Sequence, residues 1–278
     1  MIRPGTALLL IGLCIPAMVE GQAPTRYHFR AGDTLVYHAQ NRDSSVLTTP
    51  QGPVTAVTLS ESTVRLIFGA RGAATAAFTA LTVLLRTDKG PISPTTDSAL
   101  NRPFLVTVSD RGLAQTISAP PLPEAVTRIV DLATEFDDFF LVLPAKPLAV
   151  GVAWVDTVSQ TGSAAGGLKF TRRAITNFNV SRDTIVNGIP CLIVVGASMQ
   201  TLDAAGPGSA PGRTVTNHQT GFDNGFFLFD PVAGRMLGRQ RTGEFTGTLR
   251  MSGGPRTEEY PLARRFLTGM GLVPRAGP

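Results

Sequence analysis

The sequence predicts a mainly β fold with one major helix (α+β): a large curved antiparallel sheet, or open half barrel, wrapped over an amphipathic helix. Three observations predict it. Of 278 residues, 43% are apolar and 16% charged, which is enough apolar sequence to bury a core and too much for disorder. Most of the chain consists of alternating or continuously apolar runs rich in Val, Ile, Thr and Phe, punctuated by Gly, Pro and Asp-Arg-Gly. One stretch alone, Leu122 to about Phe140, repeats its apolar residues at three- and four-residue intervals.

Residues 1–23 read as a signal peptide: Arg3 gives a positive start, Ala7 to Ile15 is apolar, and cleavage falls after Gly21 or Ala23. Cys14 follows Leu13 where a lipidated cysteine needs a small residue, so an anchored form is disfavoured. The mature chain, 24–278, is expected to be a single β-rich domain, periplasmic or extracellular. It has no transmembrane span, since no apolar run of about 18 residues follows the leader. With the leader gone Cys191 is the sole cysteine, so the fold holds by packing rather than by a disulfide. Its setting, Ile189-Pro190-Cys191-Leu192-Ile193-Val194-Val195, reads as a buried strand in which a thiol is a small hydrophobe.

The strands follow in order. Asp33 to Thr49 turns through Pro50-Gln51-Gly52-Pro53 into Val54 to Phe68, and Arg71-Gly72 leads to Ala73 to Thr87 with Phe78 and Leu84. Phe104 to Val108 pairs with Leu113 to Ile117 across Ser109-Asp110-Arg111-Gly112. The helix comes next, with Ala125, Val126, Ile129, Leu132, Ala133, Phe136, Phe139 and Phe140 on one side and Glu124, Arg128, Asp131 and Glu135 on the other. Pro120, Pro121 and Pro123 open it; Pro144 and Pro147 end it. Strands resume at Ala153 to Gln160, Leu168 to Arg182, Ile189 to Thr201, Thr214 to Thr220, Gly225 to Phe229, Arg235 to Met251 and Glu258 to Leu267. Gly162 to Gly167 and Ala204 to Gly212 read as flexible loops. A sheet of about a dozen strands must curl to avoid long free edges.

The basic residues are 22 Arg and only 3 Lys, and from Arg235 onward eight Arg face three acids. This Arg-rich C-terminal region is either a solvated face or a patch for an anionic envelope surface. No helix or aromatic platform accompanies it, which argues against nucleic acid. The marked enzyme classes lack their parts. His28, His38 and His218 show no zinc spacing, and there is no Gly-x-Ser-x-Gly elbow, phosphate loop, dinucleotide fingerprint or Cys-x-x-Cys. No cofactor is indicated. Glu135, Asp137 and Asp138 stand at the helix C-terminus, where the dipole disfavours acids, so they are either solvated there or compensated by a cation. Arg239 and Arg241 share parity with Phe245, Leu249 and Met251. Either a bulge at Gly238 or Gly243 resets the alternation, or both guanidinium groups face the concave side, where they could receive a carboxylate or phosphate headgroup.

Two stretches carry a resemblance. Pro144-Ala145-Lys146-Pro147-Leu148-Ala149-Val150-Gly151-Val152-Ala153-Trp154 and Phe229-Asp230-Pro231-Val232-Ala233-Gly234-Arg235-Met236 resemble motifs of uncharacterised exported bacterial β proteins. Those motifs are a Pro-x-x-Pro-Val-x-x-Gly-x-x-Trp strand start and a Phe-Asp-x-x-x-Gly hairpin. A polar residue often precedes the Trp there, where this chain has Val152 and Ala153. Their outline is similar to the lipoprotein-carrier type of fold. The resemblance implies a curved sheet over helix and an envelope location, and carries over no catalytic residue.

The expectation is a non-catalytic exported protein whose concave face binds an apolar or amphipathic small molecule or an envelope partner. Phe78, Leu84, Phe136, Phe139, Phe170, Phe178 and Phe245 are the candidate lining, with Arg239 and Arg241 at its mouth. Two alternatives stay open: an interaction module with a solid core, and an unmarked hydrolase using Asp137, Asp138 or His218.

Overall fold

The computed structural model describes residues 23–164, 168–208, 212–254 and 256–274. The leader reading therefore falls outside the described residues apart from Ala23, as do 165–167 and 209–211 of the two flexible-loop readings. The strands are β1 (Thr34–Thr49), β2 (Gly52–Phe68), β3 (Ala73–Thr87), β4 (Gly90–Ile92), β5 (Phe104–Val108), β6 (Ala114–Ser118), β7 (Ala153–Ala164), β8 (Leu168–Val186), β9 (Ile189–Pro207), β10 (Thr214–Asp230), β11 (Arg235–Ser252) and β12 (Glu258–Leu272). They form one 12-stranded antiparallel sheet in the order β6-β5-β3-β2-β1-β12-β11-β10-β9-β8-β7, with β4 on β3. The chain starts at the middle of the sheet, meanders to one edge and crosses to the other. It then meanders back until β12 pairs with β1.

Alternation dictates the two faces. In β1, Tyr37 and Ala39 are buried; in β9, so are Leu192, Val194, Ser198 and Gln200; in β10, Gln219, Asp223, Phe227 and Phe229. The tight turn at Asn187-Gly188 has both residues at positive φ (51° and 78°), the geometry a two-residue hairpin needs, and joins β8 to β9. Strand β9 runs through Ala204 to Pro207, so the first part of the loop expected over 204–212 is sheet.

The helix expectation is corrected. Only Glu124–Thr127, α1, is α-helical, and residues 128–152 cross the inner face as turns and irregular chain. The acids take backbone and hydroxyl donors that a helix would have used: Asp131 accepts from Ala133 N–H (3.0 Å) and Thr134 Oγ1 (2.9 Å). The three- and four-residue recurrence of apolar side chains is real, but its cause is a crossover buried among strands from both halves of the sheet. Val126, Leu132, Phe136, Phe139, Phe140, Leu141 and Leu143 are all buried there.

That crossover fills the base of the curl with aromatic rings. Phe136 meets Phe78 and Phe104 (5.8 and 5.1 Å between centroids), Phe139 meets Tyr37 (5.2 Å), and Phe140 meets Tyr27 and Phe29 (both 5.5 Å). Tyr27 Oη donates to Leu141 O at 2.9 Å and Tyr37 Oη to Met236 O at 2.8 Å, and burial pushes both phenols up. Gly112, at φ 87°, lies so close under the crossover that a Cβ there would stand 2.4 Å from Leu141 O and from the Tyr27 ring.

The sheet does not close, yet its two edges come together. Asp137 Oδ1 accepts the Thr116 N–H of β6 at 2.7 Å, and its Oδ2 accepts from Gln160 Nε2 of β7, also at 2.7 Å. One carboxylate of the crossover thus staples opposite ends of the strand order, covering edges that would otherwise be exposed. No helix among the described residues is long and apolar enough to cross a membrane.

Candidate functional site

Beside this staple lies a cavity of about 420 Å³, walled by Leu113 and Ala114 to Thr116 of β6, by β7 and by the crossover near Asp137, Asp138 and Phe140 to Val142, and floored by β8 to β11. Its floor is built from cross-strand rows. Asp156, Thr176, Ser198 and Asp223 face each other in register from β7 to β10, and Phe178, Gly196, Gly225 and Arg241 form the next row. Small residues make the space: a Cβ on Gly196 would stand 2.9 Å from the Phe178 ring, and one on Gly225 2.1 Å from Gln240 O.

The cavity is amphipathic. Phe140, Leu141, Val158, Phe178 and Phe227 give apolar walls, while Asp137, Asp138, Asp156, Asp223, Arg172 and Arg241 bring charge. Most of that charge is already matched. Arg172 is ion-paired with Asp138, and Arg241 binds Asp223 through Nη2–Oδ2 (2.9 Å) and Nε–Oδ1 (3.3 Å), with Gln200 donating to the same carboxylate. For Asp138, burial alone would raise the pKa, but Arg172, Arg241 and Arg239 outweigh it and hold the carboxyl below its usual range. Asp156 differs: burial raises its pKa, its own neighbour Thr157 donates a backbone N–H, and it forms no ion pair among the described residues. Three buried polar atoms of lining residues, Thr116 Oγ1, Arg172 Nε and Ser198 Oγ, have no hydrogen-bond partner.

The expected lining residues separate into groups. Phe78, Phe136 and Phe139 are fully buried in the aromatic base. Phe178 lines the cavity and stacks on Trp154 at 5.1 Å; Trp154 Nε1 donates to Val142 O. Phe170 is half-buried against Gly162, and Phe245 is buried farther along the inner face beside Phe266 at 5.9 Å. Leu84 is on the other face with Leu59, Thr82 and Leu267. The reason is a bulge: Thr63 faces Ala80 but Val64 faces Phe78, so the extra residue Thr79 reverses the parity after Phe78 and turns Leu81 and Val83 inward instead.

For Arg239 and Arg241 the second of the two expected readings describes the placement, and the bulge near Gly238 does not turn them away. A bulge leaves Leu237 unpaired beside Gly238, joining inward Met236 to inward Arg239, so the two arginines face the concave side together. Neither is free for an anionic headgroup. Arg239 lies over the Phe139 ring at 5.8 Å and donates to Asp138 O, and burial lowers its pKa to about 10. The compensating cation expected for the acids near 135–138 is thus present, supplied by β8 and β11. Of the Arg-rich C-terminal region, Arg235, Arg241, Arg250, Arg264 and Arg265 each pair with an acid, which leaves an anionic-surface role without support.

The hydrolase constellation does not assemble. Asp137 and Asp138 line the cavity, but His218 is exposed on the outer face, bonded to Asp203 at 2.6 Å. No group of three or more His, Cys, Asp or Glu among the described residues could hold a metal ion. Cys191 is free and buried. Sequence reading passed over Arg172, Asp223, Asp156 and Ser198. The first two carried the same signal that marked Arg239: a charge on the parity of Phe178 and Val180, and of Phe227 and Phe229.

Neither a family model nor a curated protein matches the chain. Among solved structures it is similar to one described as lipid–protein interactions in lipovitellin, with 14% identity and a TM-score of 0.49 over 90% of this chain and 26% of that one. It is also similar to Neisserial surface protein A, with 8% identity and a TM-score of 0.24 over 86% of this chain and 97% of that one. A third is a putative outer membrane lipoprotein-sorting protein domain from Vibrio parahaemolyticus, with 11% identity and a TM-score of 0.15 over 86% of this chain and 87% of that one. These resemblances are distant and assign no role.

Proposed function

We propose that the chain is a non-catalytic binding protein, exported as a single domain, that holds an amphipathic small molecule inside the curl of its sheet. The observation that carries this reading is the cavity beside the Asp137 staple, about 420 Å³, with aromatic and aliphatic walls and a polar row across its floor. Its volume lies in the range of small-molecule sites, and apolar walls with a few placed polar groups are the usual composition of such sites.

The test is native mass spectrometry of the mature protein purified from its own host, followed by organic extraction. A stoichiometric amphipathic molecule is the expected result. A bare protein mass, with no rise in melting temperature on adding amphiphiles of either charge, would overturn the reading. A second reading, docking of an envelope partner, is favoured by the exposed apolar side chains Val155, Ile175, Met199, Phe222 and Phe226 on the outer face of β7 to β10. It predicts that charged substitutions at Met199 and Phe222 abolish partner capture and leave the cavity's ligand in place.

A further inference from the structure

The cavity's hydrogen-bonding and charge inventory specifies more than amphipathic character. Its lining holds four carboxylates, Asp137, Asp138, Asp156 and Asp223, against the two guanidinium groups of Arg172 and Arg241. Asp138 and Asp223 are matched to those arginines, and Asp137 is occupied by Thr116 N–H and Gln160. Asp156 forms no ion pair among the described residues, and Arg111, which acts on it electrostatically, donates its Nε–H to Leu143 O at 2.8 Å. An anionic ligand would therefore enter a site with surplus negative charge and find no free guanidinium pair.

Ser198 supplies an independent pointer. It is only 3% exposed, lines the cavity and has no partner for Oγ. A buried hydroxyl costs free energy when it makes no hydrogen bond, so a ligand or water atom is called for at that spot. Asp156 and Ser198 belong to one cross-strand row, two strands apart through Thr176. At a strand spacing of about 4.8 Å their backbones are about 10 Å apart. The free N–H of Arg172 and the hydroxyl of Thr116 border the same space, and each matches an oxygen on a ligand.

Resting on the binding reading above, we infer that the cleft takes a small hydroxylated amine. Its ammonium sits on Asp156, its oxygen meets Ser198 and Arg172, and its apolar body lies against Phe178 and Phe227. Charge-assisted hydrogen bonds are the strong ones, and a carboxylate without a competing protein cation has most to gain from an ammonium.

Three probes of equal length and different charge test this by calorimetry at pH 7: 2-amino-1-octanol, 1,2-octanediol and 2-hydroxyoctanoate. The amine should bind about tenfold or more tightly than the diol, and the acid most weakly. Asp156→Asn should erase the preference for amine over diol, with the amine losing more affinity than the diol. Ser198→Ala should weaken amine and diol alike by several-fold. Should Asp156→Asn fail to fold, by circular dichroism, Asp156→Ser serves the same comparison. Equal binding of amine and diol, tighter binding of the acid, or an amine preference that survives loss of the Asp156 carboxylate overturns the inference and leaves the amphipathic reading standing. Binding of none of the three overturns both.

Discussion

Two regions of the inner face, one over β1, β3 and β5 and the other over β7 to β11, use opposite physics. At the base, the crossover packs Phe136, Phe139 and Phe140 onto Tyr37, Phe78 and Phe104, and the two tyrosine hydroxyls there each find a carbonyl. Beside it, the strands carry Asp156, Ser198, Asp223, Arg172 and Arg241, and small residues hold space open. Stability comes chiefly from the first region, where aromatic pairs contribute about 0.5–1.5 kcal/mol each beyond their buried area. The second carries costs of its own: buried charges that only break even when paired, and polar atoms left without partners. Such costs beside a well-packed core are what support the binding reading proposed above.

The largest effect expected on this contrast is at the base. Phe139 is 1% exposed and touches Tyr37, Phe136, Phe140 and the Arg239 guanidinium, so Phe139→Ala should cost about 3–5 kcal/mol in urea unfolding. For a domain whose total stability is on the order of 5–15 kcal/mol, that is a large share. A loss under about 1 kcal/mol would mean the base is not what holds the curl. A smaller effect belongs to the staple. Asp137→Ala removes the acceptor of Thr116 N–H and Gln160, and should cost about 1–3 kcal/mol. Amide exchange would show where: Thr116 and its β6 neighbours should exchange faster, while Val64 and Leu66 under the aromatic base stay as slow as before. Uniform acceleration would show instead that the edges and the base open as one unit.

Much of the base was legible in the sequence and little of the cleft was. Strand boundaries follow from alternation and turn residues, and β3 and β5 are where the pattern puts them. The crossover was misread because burial on several sides imprints the same three- and four-residue spacing as a helix. What distinguishes the two is competition from Asp131 for the donors of Ala133 and Thr134, and that shows only once partners are known. Leu84 was misplaced for a related reason: the extra Thr79 is a matter of register between β2 and β3, and no local pattern in β3 announces it. The pairing of Arg172 with Asp138 joins residues that only the crossover's path brings together, although each charge was visible as a break in alternation or in helix preference.

The prediction that best sharpens the boundary between the two regions concerns Glu135. It sits on the crossover between the rings of the base and the charges of the cleft, and burial raises its pKa from 4.5 to about 7, against the pull of Arg239 and with a minor push from Asp131. A raised carboxyl pKa means that the folded state keeps a proton the unfolded chain has lost, so between about pH 4.5 and 7 folding takes up protons and stability falls as pH rises. Glu135→Gln has no proton to lose. It should match the wild type near pH 4, lose that downward slope, and be the more stable of the two at pH 8, as denaturant midpoints at each pH would show. If Glu135→Gln is instead the less stable at pH 8, Arg239 stabilises the ionised carboxylate by more than burial disfavours it, and the charged region extends to Glu135.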